Sequence, residues 1–220
     1  MRSGLEWAEV YSDPLSDVVQ MLFARLDAAG YAASKGLGAE PGSEWKYSSG
    51  TTNIVSRVLR RALGEAGYLA FPRRALFEPL GMSTATFEMD GSGTFVGSSF
   101  LLASARDWAR FGQLHLQDGV WEGRRLLPEG WVRWATTLTP QSGDKRFGAH
   151  WWLRVPPDLG GDTPAGKSLP ADAFHALGHE GQCLSVIPSR GLVVVRLGLS
   201  IRLDAWDHAG FLAGVLTTPR

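Results

Sequence analysis

Tyr47 stands two residues ahead of Ser49 in the run Pro41-Gly42-Ser43-Glu44-Trp45-Lys46-Tyr47-Ser48-Ser49-Gly50. On a turn entering a helix, that spacing aims both hydroxyls into one cleft, where a nearby cation would lower the phenol pKa enough for general-base work. The same residues also suit a plainer role, a tyrosine covering a core and a serine capping a helix, and spacing alone leaves both open. A second group is Gly178-His179-Glu180-Gly181-Gln182, which runs into a β-rich stretch. Glycines flanking a polar pair at a strand start let the backbone approach a ligand, so the Gln182 N–H could face a developing oxyanion. Alternatively, His179 is a turn histidine without a task. His175, His179 and Cys183 recur every four residues, a zinc-like set on one face of an extended strand. Gly178 and Gly181 oppose a helix there and a fourth ligand is missing, so no metal is assigned.

Elements that would carry these groups follow from periodicity. Pro14, Ser16 and Asp17 resemble a helix start, and Val18, Val19, Leu22, Phe23 and Leu26 recur at helical spacing until Gly30. Residues 32–43 have no period and form a loop. A second helix starting at 49–52 would bury Ile54, Val55, Val58, Leu59 and Leu63 before Gly64, and a third, 73–78, stops at Pro79-Leu80-Gly81-Met82. Residues 103–116 are again helical, with Trp108, Phe111, Leu114 and Leu116 as packing positions. A hairpin-like turn at 118–123 follows, and Pro128-Glu129-Gly130-Trp131 opens a short helix. Residues 148–155, 182–187 and 192–199 are β-rich, the last two joined by Pro188-Ser189-Arg190-Gly191, and 204–216 is a final amphipathic helix. The fold class is therefore α+β: a mostly helical region, 1–146, and antiparallel strands with a helix, 147–220, in one domain.

Twenty-two Lys and Arg balance twenty-two Asp and Glu, so no net field recommends a nucleic-acid partner. Cys183, the single cysteine, can make neither an internal disulfide nor a cysteine-only metal site. The apolar runs fall far short of the ~18 residues of a membrane span. With 44% hydrophobic and 20% charged residues, the chain has the composition of an ordinary globular protein, and its nine Trp and 27 Gly suit a cleft-bearing enzyme better than a helical bundle.

Taken in order, these pieces resemble the serine β-lactamase-like hydrolases: class C β-lactamases, D-Ala-D-Ala peptidases, related esterases and 6-aminohexanoate-dimer hydrolases. Met1-Arg2-Ser3-Gly4-Leu5 with Tyr11-Ser12-Asp13-Pro14 is similar to the family's segment just after its nucleophile helix. Tyr47-Ser48-Ser49 resembles the Tyr-x-Asn/Ser motif, residues 97–127 with Pro128-Glu129-Gly130-Trp131 a helix-turn segment, and His179-Glu180-Gly181 the His-x-Gly that some members carry in place of Lys-Thr-Gly. Ser49 in place of Asn and His179 in place of Lys lean toward the esterase and amide-hydrolase branches. The resemblance implies a small-molecule ester or amide substrate and no metal or organic cofactor. It gives Tyr47 the proton shuttle, makes Ser49 and His179 catalytic, sets Gly181 and Gln182 on the oxyanion and substrate edge, and places Glu9 and Tyr11 at the cleft mouth.

The family's chemistry begins at Ser-x-x-Lys on a helix start, where the Lys one turn on takes the serine proton. Ser43–Lys46 abuts Tyr47, and Ser142–Lys145 lies in a polar loop; neither opens an apolar-faced helix. The nucleophile is therefore expected ahead of residue 1, in a segment that would also decide export and cellular location, with this chain as the C-terminal portion.

Overall fold

Ser16 and Asp17 precede the first helix, α1 (Asp17–Ala24), but their side chains do more than start it. Ser16 Oγ donates to the Ala8 carbonyl at 2.8 Å and accepts from the Val10 N–H at 3.0 Å, while Asp17 Oδ2 accepts from the Ala8 N–H at 2.9 Å. Residues 8–10 are thereby tied to the helix from both sides of Glu9. The computed structural model describes residues 1–202 and 205–218. These divide into two units, one of Met1–Pro79 with Ser83–Ala103, the other of Leu80–Met82 with Ser104–Arg220.

In the first unit α1 ends sooner than Gly30. Arg25 is extended, which leaves Phe23 71% and Leu26 80% exposed rather than packed. Asp27 then caps α2 (Ala28–Ala33) by accepting from the Gly30 N–H at 2.7 Å, so Gly30 lies inside a helix instead of stopping one. Trp7, Val18, Met21, Ala28 and Ala32 form the local core.

The long helix α3 (Ser49–Pro72) starts where expected and loses helical geometry at Gly64, whose φ is +70°. Its buried face, however, is polar. Ser49, Asn53, Ser56 and Arg60, spaced four, three and four residues apart, share one side. Asn53 Nδ2 donates to Ser98 Oγ at 2.9 Å, Ser56 Oγ to the Phe95 carbonyl at 2.8 Å, and Arg60 to the Ser92 carbonyl at 2.5 Å. Val55, Val58 and Leu59, expected inside, are exposed; Ile54 packs against the Trp7 cluster. Specific partners for the polar stripe outcompete the apolar one for the interior side. A π-turn, Arg73–Phe77, leads to α4 (Glu78–Leu80), and a short ladder pairs β1 (Thr86–Phe87) with β2 (Leu101–Leu102).

The second unit is built on a three-stranded antiparallel sheet of β5 (Phe174–Leu177), β6 (Cys183–Ile187) and β7 (Leu192–Arg196), β6 being central. Preceding it are α5 (Ala105–Leu116), the hairpin β3 (Val120–Trp121) and β4 (Arg124–Arg125), α6 (Trp131–Ala135) and α7 (Pro164–Ser168). Strand periodicity divides β6. Leu184 and Val186 join Val132, Ala135, Trp151 and Phe174, whereas Ile187 joins Val155, Ala173, Ala209 and Leu212. Gly112 lets α5 lie close on the first face, because a Cβ there would sit 2.6 Å from Val193 Cγ1 and 2.8 Å from Leu184 Cδ1. Leu114 is fully buried, and Phe111 and Leu116 line the same cluster. Glu122 and Gly123, at φ +48° and +77°, form the two-residue turn of the β3–β4 hairpin.

Two β-rich readings change. Residues 148–155 form no strand, only bridges of Trp152 to Phe147 and His175, since His150 at φ +63° breaks the extended run. Strand β5 was not separable by pattern, being four residues long. The last helix is α8 (His208–Thr217), and Asp204, its expected start, lies outside the described residues. Among the described residues no helix is long and apolar enough to cross a membrane. The class is α+β, as the β-rich and helical runs imply.

Candidate functional site

Glu9 gathers the polar groups of the first unit. Its Oε1 accepts from Ser49 Oγ at 2.5 Å and from Tyr11 OH at 3.0 Å; its Oε2 accepts from the Ser49 N–H at 3.0 Å and from Trp7 Nε1. Local sequence explains the arrangement. Ser48 caps α3, its Oγ accepting from the Thr51 N–H at 3.0 Å, so Ser49 becomes the first helical residue with an N–H lacking an intrahelical acceptor. A carboxylate satisfies that N–H and suits the positive end of the helix. Gly50 admits the Trp7 ring, which a Cβ would meet at 2.6 Å.

Tyr47 precedes the cap, partly buried, with its ring edge-on to Trp45 at 6.5 Å. Burial, and then the Glu9 carboxylate, push its phenol up to about 12. This is the opposite of the lowering by a cation expected from sequence. Tyr11 is pushed up as well, mainly by burial and next by Glu9. Lys46 is exposed. The structure thus joins Glu9, Tyr11 and Ser49 through one carboxylate, with Tyr47 in its field. At neutral pH two protonated phenols and a serine hydroxyl therefore surround one carboxylate.

Neither Ser-x-x-Lys string has nucleophile geometry. Ser43 Oγ donates to the Glu40 carbonyl at 2.6 Å within a turn, and Ser142, 1% exposed, donates to Asp144 Oδ1 at 2.9 Å while Lys145 adopts φ +54°.

In the second unit, His179–Gly181 form a 3-10 turn between β5 and β6, with Glu180 at φ +56° and Gly181 at +83°. The His179 side chain is 66% exposed, its Nε2 3.7 Å from Glu180 Oε1. Two expectations change here. The Gln182 N–H is directed to the His179 carbonyl at 3.4 Å, inside the turn, and the Gln182 side chain brackets Gly198 by donating to its carbonyl and accepting from its N–H. Gly181 is demanded by its left-handed φ and by Arg196, whose guanidinium a Cβ would strike.

Sequence reading missed Arg196. Its Nη1 donates to the Gly181 carbonyl at 2.6 Å, its Nη2 to Ser200 Oγ at 2.7 Å, and its guanidinium lies 4.3 Å over the Trp206 ring. Ser200 N–H adds a bond to the Glu180 carbonyl at 2.9 Å. Arg196→Met is expected to lower the stability of this chain by about 1.5–3 kcal/mol, the range for a charge-assisted bond, with Arg196→Lys losing less. Gly181→Val should lower it by about 2 kcal/mol through left-handed strain alone, so stability falls along with any turnover. Urea midpoints for the three variants check both; unchanged midpoints contradict them.

His175, His179 and Cys183 do not converge. His175 Nδ1 is 2.8 Å from Ser185 Oγ, which is also 2.8 Å from His208 Nε2, all three side chains buried. Cys183 Sγ faces the Gly181 carbonyl, and burial raises its thiol to about 11. Trp206 Nε1, only a donor, meets His208 Nδ1 at 3.4 Å, so the proton of His208 is on Nε2 and donates to Ser185, whose hydroxyl donates to His175. Burial lowers the two imidazoles to about 3 and about 4.

Residues 1–198 match the family model described as Beta-lactamase. A 6-aminohexanoate-dimer hydrolase of Paenarthrobacter ureafaciens is 25% identical over 185 residues, covering 79% of this chain and 44% of that protein. An uncharacterized protein of Alkalihalophilus pseudofirmus is 28% identical over 98 residues, 44% of this chain and 29% of its own length. The chain therefore spans less than half of either curated relative. Among solved structures, a penicillin-binding protein homolog from Caulobacter crescentus superposes with a TM-score of 0.63 at 18% identity, over 96% of this chain and 69% of that one. A β-lactamase from Mycobacterium bovis gives 0.59 at 20% identity, over 87% and 72%. With the motifs in order and the family model matched over nearly the whole sequence, this chain belongs to the Beta-lactamase family.

Proposed function

We propose that this chain is part of a serine hydrolase that cleaves a small-molecule ester or amide through an acyl-enzyme, its nucleophile supplied outside residues 1–220. The observation that carries the reading is the Glu9 cluster at the start of α3, where Ser49, Tyr11 and Tyr47 bring hydroxyls into one carboxylate field. Family membership and the 6-aminohexanoate-dimer hydrolase relative support it.

In the complete protein a serine outside this chain attacks the substrate carbonyl and passes its proton to the lysine expected one helical turn on as the tetrahedral oxyanion forms, a proton that later replaces the one Tyr47 gives to the leaving group. The leaving alcohol or amine departs with a proton, and water then releases the acid from the acyl-serine. Tyr47, protonated at neutral pH, is the donor to the leaving group. It becomes the acceptor for the serine proton only when a cation offsets Glu9. The His179–Gly181 turn lines the substrate side. The position of Ser43 and Ser142 away from helix starts favours a second reading, a binding module that keeps the cleft without turnover. Assay of the protein from the complete coding sequence with a p-nitrophenyl ester and with the linear 6-aminohexanoate dimer separates them. Hydrolysis of either supports the enzyme; hydrolysis of neither, with tight binding retained, supports the module.

A further inference from the structure

A groove of about 420 Å³ opens in the second unit, between the end of α5, α6 and the segment leading into β5. That volume lies within the ~300–1,000 Å³ typical of small-molecule sites. Leu116, Val132, Leu153, Phe174 and Pro188 give it apolar walls, and none of its lining residues belongs to the Glu9 cluster or the His179 turn. His115 is set into the same wall. It is 6% exposed, with its ring 4.6 Å from that of Phe111 and 4.8 Å from that of Trp151.

The hydrogen bonding of His115 fixes what it offers. Nδ1 lies 2.9 Å from the Phe111 carbonyl, and a carbonyl only accepts, so the proton is on Nδ1. Burial holds the ring neutral by lowering its proton affinity. Nε2 is therefore a lone-pair acceptor on a ring that lines the groove. The neighbouring polar groups are committed. Asp172 accepts from the Ser189 N–H and hydroxyl, Asp118 lies 3.8 Å from Arg125, and Thr136 Oγ1 donates to the Val132 carbonyl at 2.8 Å.

We propose that this groove is a second binding site, for a small uncharged molecule with an apolar body and one hydroxyl donor directed at His115 Nε2. A hydroxyl donor in the groove makes a hydrogen bond to Nε2 that an ether of the same shape cannot, and that bond separates their affinities.

Phenol and anisole are suitable probes, since they share the ring and differ in the donor. Calorimetric titration of the 220-residue chain should show phenol binding about 10-fold tighter than anisole. In His115→Phe the two should bind alike. Ala171→Trp, placed at the exposed rim, should abolish binding of both while near-ultraviolet circular dichroism is unchanged. Absence of phenol binding, equal affinities in the parent, a phenol preference that survives His115→Phe, or binding indifferent to Ala171→Trp each overturns the proposal. Should His115→Phe fail to fold, Ala171→Trp and the phenol–anisole comparison decide it.

Discussion

Replacing Tyr47 by phenylalanine in the complete protein is expected to lower kcat/KM for ester hydrolysis by about 10²–10⁴-fold, the usual loss when a positioned acid or base is removed. The ring stays, so packing against Trp45 is kept, and only the hydroxyl is lost. Burial first and Glu9 second hold that phenol at about 12, which makes it a proton donor throughout the neutral range. Glu9→Gln removes the second cause and should move the alkaline limb of the pH–rate profile downward, while keeping acceptors for part of the Ser49, Tyr11 and Trp7 bonds. Activity of Tyr47→Phe within about threefold of the parent would take Tyr47 out of the proton path.

Mild acid should destabilise the second unit by several kcal/mol. His175 and His208 are neutral when folded, at about 3 and about 4 against an ordinary 6.5, because burial disfavours their charged forms. Between those values the unfolded chain binds the protons and the folded chain does not, so stability is full above pH 6.5 and falls as pH drops through this window. pH 5 lies about 1.5 units below the ordinary imidazole value, which is worth about 2 kcal/mol for each ring, or about 4 kcal/mol for the pair. Carboxylates titrate lower and add little above about pH 4.5. Urea unfolding at pH 7 and pH 5 measures the difference; His115 and His150, also lowered by burial, add to it, and His208→Gln should remove about 2 kcal/mol of it at some loss of overall stability. Equal unfolding free energies at the two pH values would contradict the neutral His175–Ser185–His208 chain.

Much of this frame was legible because local chemistry and global packing agree. The start of α3 and the Gly64 break, a turn within 118–123 and the β-rich runs of β6 and β7 are readable as caps, turns and composition. Misreadings arose where a polar side chain found a distant partner. The inward stripe of α3 is Ser49, Asn53, Ser56 and Arg60, and only the loops supplying Glu9, Ser98, Phe95 and Ser92 make that face the favourable one to bury. At the His179 turn, the same holds for Arg196, 15 residues beyond Gly181 and marked by no motif. Ser185 and His175 face each other in register, which strand pairing would have given had β5 been long enough to recognise, whereas His208 comes from a separate helix. Glu9 was placed at a cleft mouth by resemblance; its role as the acceptor joining Trp7, Tyr11 and Ser49 depends on Ser16 and Asp17 holding residues 8–10.

The central claim, that residues 1–220 carry the proton-handling and substrate-lining parts while the nucleophile lies outside them, is tested most directly by intact mass after fluorophosphonate treatment. The 220-residue chain should remain unmodified, and the protein from the complete coding sequence should gain one adduct on a serine outside this chain. A stoichiometric adduct on Ser43, Ser49 or Ser142 of the 220-residue chain would contradict it.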